Sequence, residues 1–331
     1  MQLRVQPTGH SIECAPGENL LDALRRANVP ISYSCAAGRC GTCRCKIIDS
    51  AAPDIAATAE DGVVLACQVT LTGDCTIEIP EPDEIVVHPA RLLKGIVQSI
   101  DAPVKDVRIV RIKTNRLLEF SPGQFASLQI APGIERHYSM ASLAGDALLE
   151  FHIRVVPDGA FSGHVAHKLS PGDTLRISGP LGTSYLRRKH AGPIVCVAGG
   201  TGLAPVLSIV RGALEGGHRD DIHLYFGVRS EADVYGASAL EALRARFPNL
   251  HVNVVVASGA AHDGHRAGLV TDALAHDWPA SDALGGFRGY VCGSPPMVDA
   301  VRAVLIAHGI EDGHIYADAF YAQTPALLQP A

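Results

Sequence analysis

The stretch AGPIVCVAGGTGLAPVLSIV, Ala191 to Val210, runs for twenty residues without a charge. That length and apolarity would suit a membrane-spanning helix. Gly192, Pro193, Gly199, Gly200, Gly202 and Pro205 argue against one, because they would break it in the middle. The segment reads instead as a strand at Ile194–Ala198, a glycine turn, and a helix from about Ala204 in which Pro205 is pre-set for the first turn. Further on, strands at His223–Val228, Val252–Ala257 and Gly289–Cys292 share the last third of the chain with helices at Leu269–His276 and Pro296–His308. Such alternation implies right-handed crossovers and a parallel sheet.

A helix that starts after a glycine turn welcomes phosphate oxygens, so Gly200, Thr201 and Gly202 are candidate dinucleotide-binding residues. The turn departs from G-x-G-x-x-G, with Pro205 in place of the third glycine. The next strand ends in YFGVRS with Arg229, followed by Glu231 and Asp233. An arginine there suits a ribose 2′-phosphate and an acid suits the 2′-hydroxyl, so NADH and NADPH both stay open. VCGSPPM puts Cys292 and Gly293 at a strand end that opens onto a helix, where ligands of open α/β sheets bind.

The middle of the chain is built of short strands and turns: Val107–Lys113, Phe125–Ile130, Leu148–Val156 and Thr174–Ser178. FSPGQFASLQ leads through a short loop to Arg136, His137, Tyr138, Ser139 and Met140. Arg136 and Tyr138 would share one strand face, the first offering a planar fork to a pyrophosphate and the second a flat ring to a flavin. Downstream, GAFSGHV supplies Gly159 and Ser162, with Ser162 expected to cap a helix over Gly163–Leu169. Together the two motifs point to FAD.

Nine cysteines in 331 residues are too few for a disulfide scaffold, and seven of them lie at or before Cys75. CAAGRCGTC places Cys35, Cys40 and Cys43 at C-x4-C-x2-C, and Cys67 follows after a gap of twenty-three residues. This is the spacing of a plant-type [2Fe–2S] site, in which Gly38 and Gly41 would let backbone N–H groups turn toward the sulfides. Zinc is the competing metal, but structural zinc favours two close cysteine pairs. Cys75 competes with Cys67 as the fourth ligand; Cys67 is favoured because it ends the apolar strand VVLAC. Cys14 and Cys45 read as packed thiols, and the pairs His164/His167 and His262/His265 as surface histidines.

Lys and Arg number 28 against 34 Asp and Glu, a net charge of −6, which disfavours nucleic acid as a partner. The charge is uneven: −6 over residues 1–88, +6 over 89–190 and −6 over 191–331. The proline- and acid-rich stretch Ile79–Ala90 reads as a linker. Three domains are therefore expected: a [2Fe–2S] domain over 1–88, an FAD domain over 89–190 and an NAD(P) domain over 191–331. No signal peptide or membrane span is legible, so a cytoplasmic protein is expected; its oligomeric state is open, with a monomer carried forward.

The cluster loop, R-x-Y-S, GGTG and CGxPxM, in this order, resemble the reductase components of aromatic-ring-hydroxylating dioxygenases, of the naphthalene dioxygenase and salicylate 5-hydroxylase type. ISYSCAAGRCGTCRC, DEIVVHPAR, SGPLGT, LYFGVRS and IYADAFY carry the likeness along the chain; the tail after Tyr321 and His137, where proline is frequent, depart from it. The resemblance implies a β-grasp [2Fe–2S] ferredoxin domain, an antiparallel β-barrel for FAD and a ferredoxin-reductase-like parallel α/β domain for the nicotinamide. It implies that Tyr138 would stack on the isoalloxazine, Ser139 reach its N5 edge, and Arg136 and Ser162 hold the pyrophosphate. Cys292 would sit by the nicotinamide and Phe320 near the flavin.

A nicotinamide gives two electrons at once and a [2Fe–2S] cluster takes one, so a flavin must stand between them. The acceptor implied is a Rieske-type ferredoxin or the terminal oxygenase itself. The alternatives are the reductase of a diiron monooxygenase, a non-catalytic redox sensor, and a diaphorase with zinc in the cysteine loop.

Overall fold

The computed structural model describes residues 1–31, 33, 43–51, 62–79, 84, 86, 88, 90–262 and 264–321. They form three sheets of five, six and six strands that follow one another along the chain.

The first sheet holds β1 (Gln2–Gln6), β2 (His10–Glu13), β3 (Arg44–Ser50), β4 (Val63–Leu65) and β5 (Cys75–Glu78), in the order β2-β1-β5-β3-β4. β1 and β5 are parallel and the other pairs antiparallel. Helix α1 (Leu20–Arg26) buries Leu20, Leu21, Ala23 and Leu24 in the same core as Leu3, Val5 and Ile77. Its start is held by Asn19, whose Oδ1 accepts from the N–H groups of Leu21 at 3.0 Å and Asp22 at 3.4 Å. β4 stops at Leu65, so Cys67 does not end a strand as its apolar run suggested; it lies in a 3-10 turn, Ala66–Gln68. The side-chain amide of Asn19 donates to the Cys67 carbonyl at 3.1 Å, tying that turn to the helix start.

The second sheet is antiparallel, in the order β10-β7-β6-β11-β8-β9. Its strands are β6 (Arg91–Val104), β7 (Val107–Thr114), β8 (Phe125–Ala131), β9 (Ile134–Ser139), β10 (Leu149–Arg154) and β11 (Thr174–Leu181). A bridge between Met140 and Phe151 brings the end of β9 against β10 and curls the sheet into a barrel. Helix α2 (Ala160–His167) packs Phe161 and Val165 into the barrel core.

The third sheet is all parallel, in the order β15-β14-β13-β12-β16-β17. Its strands are β12 (Ile194–Gly199), β13 (Ile222–Val228), β14 (Leu250–Val256), β15 (Arg266–Ala267), β16 (Arg288–Gly293) and β17 (Ile315–Ala319). Helices α3 (Leu203–Glu215), α4 (Ala237–Arg246), α5 (Val270–Asp277) and α6 (Pro295–Ala307) alternate with them, and separate apolar cores lie on the two faces. From β12 the chain moves outward to β13 and β14, then returns to lay β16 on the other side of β12. That reversal leaves a crevice at the strand ends, where Gly199–Gly202 and Gly293 lie. Among the described residues no helix is long and apolar enough to cross a membrane.

Because Asn19 serves both the helix and the cysteine turn, Asn19→Ala should cost about 1–2 kcal/mol of stability in denaturant unfolding. It should also lower the iron retained per chain. A variant that unfolds like wild type and keeps its iron would remove this coupling.

Candidate functional site

The residues expected for the flavin lie on the barrel and those expected for the nicotinamide on the parallel sheet, and Ser139 joins the two sets at the seam. β9 presents Arg136 and Tyr138 on one face, both partly buried. Among the described residues no carboxylate pairs with Arg136, whose Nη1 donates only to the Glu135 carbonyl at 2.7 Å. The Tyr138 ring lies 5.2 Å from that of Phe161, so the start of α2 stands beside it. His137 is on the opposite face, exposed, with its ring 5.2 Å from Phe125.

Gly159 is the residue that precedes α2, and no side chain caps that helix. Ser162 is therefore not the N-cap expected from sequence. It sits inside the first turn, buried, and its Oγ accepts from the Val156 N–H at 3.2 Å. A side chain on Gly159 would fall 2.4 Å from that Oγ, which explains the glycine. The capping oxygen is missing, and the first N–H groups of α2 are left for an anion beside Tyr138 and Arg136. This donor set fits a flavin dinucleotide.

Ser139 ends β9 and its Oγ donates to Asp318 Oδ2 at 3.1 Å, a contact across 179 positions of sequence. Asp318 lies on β17 in register with Cys292 of β16, and the Phe320 N–H donates to the Gly293 carbonyl at 2.8 Å. Ser139, Cys292, Gly293, Asp318 and Phe320 thus meet at one seam. Asp318 was not singled out from the sequence, because nothing local marks it. Burial pushes its carboxyl up to about 6, partly offset by the Ser139 hydroxyl. Cys292 has no exposed surface, and burial holds its thiol protonated.

The glycine turn Gly200–Gly202 is a 3-10 turn that runs into α3, again with no side-chain cap. A Cβ on Gly202 would lie 2.0 Å from the Cys292 carbonyl, and one on Gly293 2.8 Å from Met297. These two glycines therefore let β12 and β16 close on each other, while uncapped N–H groups face the crevice. Gly200 has a positive φ of 54°, and a Cβ there would meet the Arg154 guanidinium at 2.5 Å. Thr201 is buried in the same turn.

Asp106 Oδ2 accepts from Arg154 Nη1 at 2.6 Å and from Arg229 Nη2 at 3.1 Å, so one barrel carboxylate engages both guanidiniums near the turn. Arg229 also lies 3.5 Å from Asp233. Glu231 is taken up by His262 and His265, at 3.1 and 2.9 Å.

Cys35 and Cys40 lie outside the described residues. Cys43 and Cys67 are buried side by side, and the Cys67 N–H donates to Cys43 Sγ at 3.4 Å. A sulfur receiving a backbone N–H is disposed as a metal-bound thiolate would be. Cys75 is within β5, and Cys45 is pushed up to about 12 by burial, the behaviour of a packed thiol.

Three family models match the chain in succession: a 2Fe-2S iron-sulfur cluster binding domain over residues 3–72, an oxidoreductase FAD-binding domain over 95–185, and an oxidoreductase NAD-binding domain over 196–303. The chain is 57% identical to the ferredoxin–NAD(P)+ reductase component of the naphthalene 1,2-dioxygenase/salicylate 5-hydroxylase systems of Ralstonia sp., over 97% of this chain and 99% of that one. It is 51% identical to the reductase component of the Pseudomonas putida naphthalene 1,2-dioxygenase system, with the same coverage. Among solved structures, the Amycolatopsis cytochrome P450 reductase GcoB superposes with a TM-score of 0.74 at 32% identity, covering 96% of this chain and 98% of that one.

Asp318 carries a stability consequence. Its folded pKa lies above the ordinary 3.8, so the native state binds the extra proton, and stability is lost as pH rises from about 4 through 6. Asp318→Asn should flatten that slope and raise the thermal midpoint at pH 7.5. An unchanged slope would mean that the carboxyl ionises freely.

Proposed function

This chain belongs to the ferredoxin–NAD(P)+ reductase components of naphthalene dioxygenase-type systems, and from that premise we propose how its residues pass electrons from NADH to an aromatic-ring-hydroxylating oxygenase. It is an oxidoreductase that uses FAD, a [2Fe–2S] cluster and NAD(H). The observation that supports the residue roles best is the Ser139–Asp318 contact, which joins the end of the R-x-Y-S strand to the strand end that holds Cys292.

When bound, the flavin accepts a two-electron hydride and the cluster carries single electrons onward. The chain's part is placement. Tyr138 supplies a ring face for the flavin, and Arg136 with the uncapped start of α2, at Gly159 and Ser162, holds the pyrophosphate. Ser139 orients the reacting edge and keeps Asp318, a carboxyl that burial pushes up to about 6, one hydroxyl away from it. His137 borders the site from the other strand face. Gly200, Thr201, Gly202 and Gly293 receive the nicotinamide dinucleotide. Cys292 and Phe320 close the nicotinamide side, Cys292 acting as a neutral thiol. Cys35, Cys40, Cys43 and Cys67 ligate the cluster irons.

The acceptor in this reading is a Rieske-type ferredoxin or the terminal oxygenase, and the protein works as a cytoplasmic monomer with no nucleic-acid partner. NADH is favoured over NADPH because Asp106 already occupies both Arg154 and Arg229 and would repel a 2′-phosphate.

The decisive experiment removes one cluster ligand. Cys40→Ser should lower NADH-driven cytochrome c reduction by about 100-fold or more while ferricyanide, which a flavin reduces directly, is still reduced. Equal loss of both in a variant that retains FAD would overturn the electron order. Asp106→Asn should raise the ratio of kcat/KM for NADPH over NADH by about tenfold, ~1.4 kcal/mol. A ratio that stays put would show that Arg154 and Arg229 do not read the 2′ position.

A further inference from the structure

The parallel sheet carries a second constellation at the opposite ends of its strands, on β13 and β14. Asp221 immediately precedes β13, and His223 is the second residue of that strand, so the two point to the same face. His251 of β14 is in register with His223. The imidazole rings stack at 4.7 Å with an interplanar angle of 21°, and Asp221 Oδ1 lies 3.1 Å from His251 Nε2. One ligand atom from each of the three residues lies within 4.8 Å of the other two. His223 and His251 line an open cleft of about 510 Å³ together with Tyr225, Asn253, His276, Asp277 and Trp278.

We propose that Asp221, His223 and His251 form a binding site for a divalent transition-metal ion of the zinc class. Two imidazoles and a carboxylate are donors for zinc, copper(II) or nickel, and a poor match for magnesium or calcium. Tetrahedral zinc with bonds of about 2.0–2.2 Å spaces its ligand atoms roughly 3.4 Å apart, so one imidazole turns out of the stack for both ring lone pairs to meet the ion, and the fourth position is left for water. Trp278 meets the His223 ring edge-on at 4.9 Å and restrains that ligand, while His251, the more exposed of the two, is the one free to turn. The nearby cation Arg266 is engaged by Asp277, which also accepts from the Tyr225 hydroxyl. His223 lies four residues upstream of Gly227, the register partner of Gly199, so the site stands about 13 Å along the strand from the glycine turn. The metal would cross-link β13 and β14 without touching the electron path.

The test uses the intact holoprotein, equilibrated with zinc and then dialysed, with iron measured in parallel so that exchange at the cysteines is recognised. Wild type should retain about one more zinc per chain than Asp221→Asn or His251→Gln, and zinc, unlike magnesium, should raise its thermal midpoint. Asp221→Asn keeps the imidazole pair and its packing, so the comparison survives if His251→Gln folds poorly. Copper(II) added to the oxidised protein should give an electron paramagnetic resonance spectrum with nitrogen couplings from two imidazoles. Equal zinc in wild type and Asp221→Asn, or copper couplings unchanged in His251→Gln, would overturn the site. NADH-driven cytochrome c reduction in metal-free buffer should be the same in all three proteins.

Discussion

The guanidinium of Arg187 is clamped between the rings of Tyr185 and Tyr316, 4.2 and 4.1 Å from their centroids, and this clamp ties the barrel to the parallel sheet at the seam on which the rest of the site is built. Tyr185 follows the last barrel strand and Tyr316 belongs to β17, so a buried charge spans the joint between barrel and parallel sheet. Taking a guanidinium out of water is costly unless its donors and its faces are both satisfied. Here Nη1 donates to the Thr183 and Tyr185 carbonyls, and the backbone N–H of Arg187 donates to the Tyr290 hydroxyl. If the two bodies slid apart, those partners would separate and a buried cation would be stranded. The joint therefore has one favoured geometry, and electron transfer between two bound dinucleotides needs just that.

The remaining seam contacts repeat the logic with smaller groups. His152 of β10 reaches the Tyr235 hydroxyl at 3.0 Å from inside the barrel wall, and Ser208 of α3 donates to the Ser142 carbonyl at 2.8 Å. Arg211 forks onto Asp146 at 2.7 and 3.1 Å, which holds that carboxyl below its usual range. Small residues let the surfaces close. A Cβ on Gly212 of α3 would lie 2.5 Å from Pro122, and one on Gly123 would lie 2.9 Å from Ile209. FSPGQ thus does its work as a docking turn for α3.

Local chemistry made much of this legible in the sequence. The apolar run before Gly199 and the alternation after it pointed to the parallel sheet and a nicotinamide dinucleotide, R-x-Y-S with GAFSGHV to FAD, and the C-x4-C-x2-C spacing to the cluster, each from local stretches of sequence. What escaped was tertiary. The pairing of Ser139 with Asp318 spans 179 positions, and an aspartate after Ala317 looks like any strand-end acid until the fold buries it. β6 was missed because register shifts near Ser99 and Val104 interrupt its alternation. α4 buries only Leu240 and Leu243 and starts from Gly236 in a left-handed conformation, so neither a stripe nor a cap announces it. Ser162 misled because a serine ahead of a helical pattern looks like a cap, whereas its hydroxyl turns back to Val156.

The absent third glycine of the nucleotide turn has a physical reason. In G-x-G-x-x-G that glycine lets the helix pack closely on the strand. In this chain the closest approach comes earlier, at Gly202 against the Cys292 carbonyl and at Gly199 against Met297 of α6. The third position lies in the first turn of α3, where a missing N–H costs no intrahelical bond, and Pro205 fills it as a buried apolar residue. Moving the contact from the third glycine to the second draws the turn onto β16 rather than onto its own helix. The strand end that carries Cys292, and through β17 Asp318 and Phe320, is thereby locked to the glycine turn Gly200–Gly202. The departure from the fingerprint and the construction of the seam are one and the same packing decision.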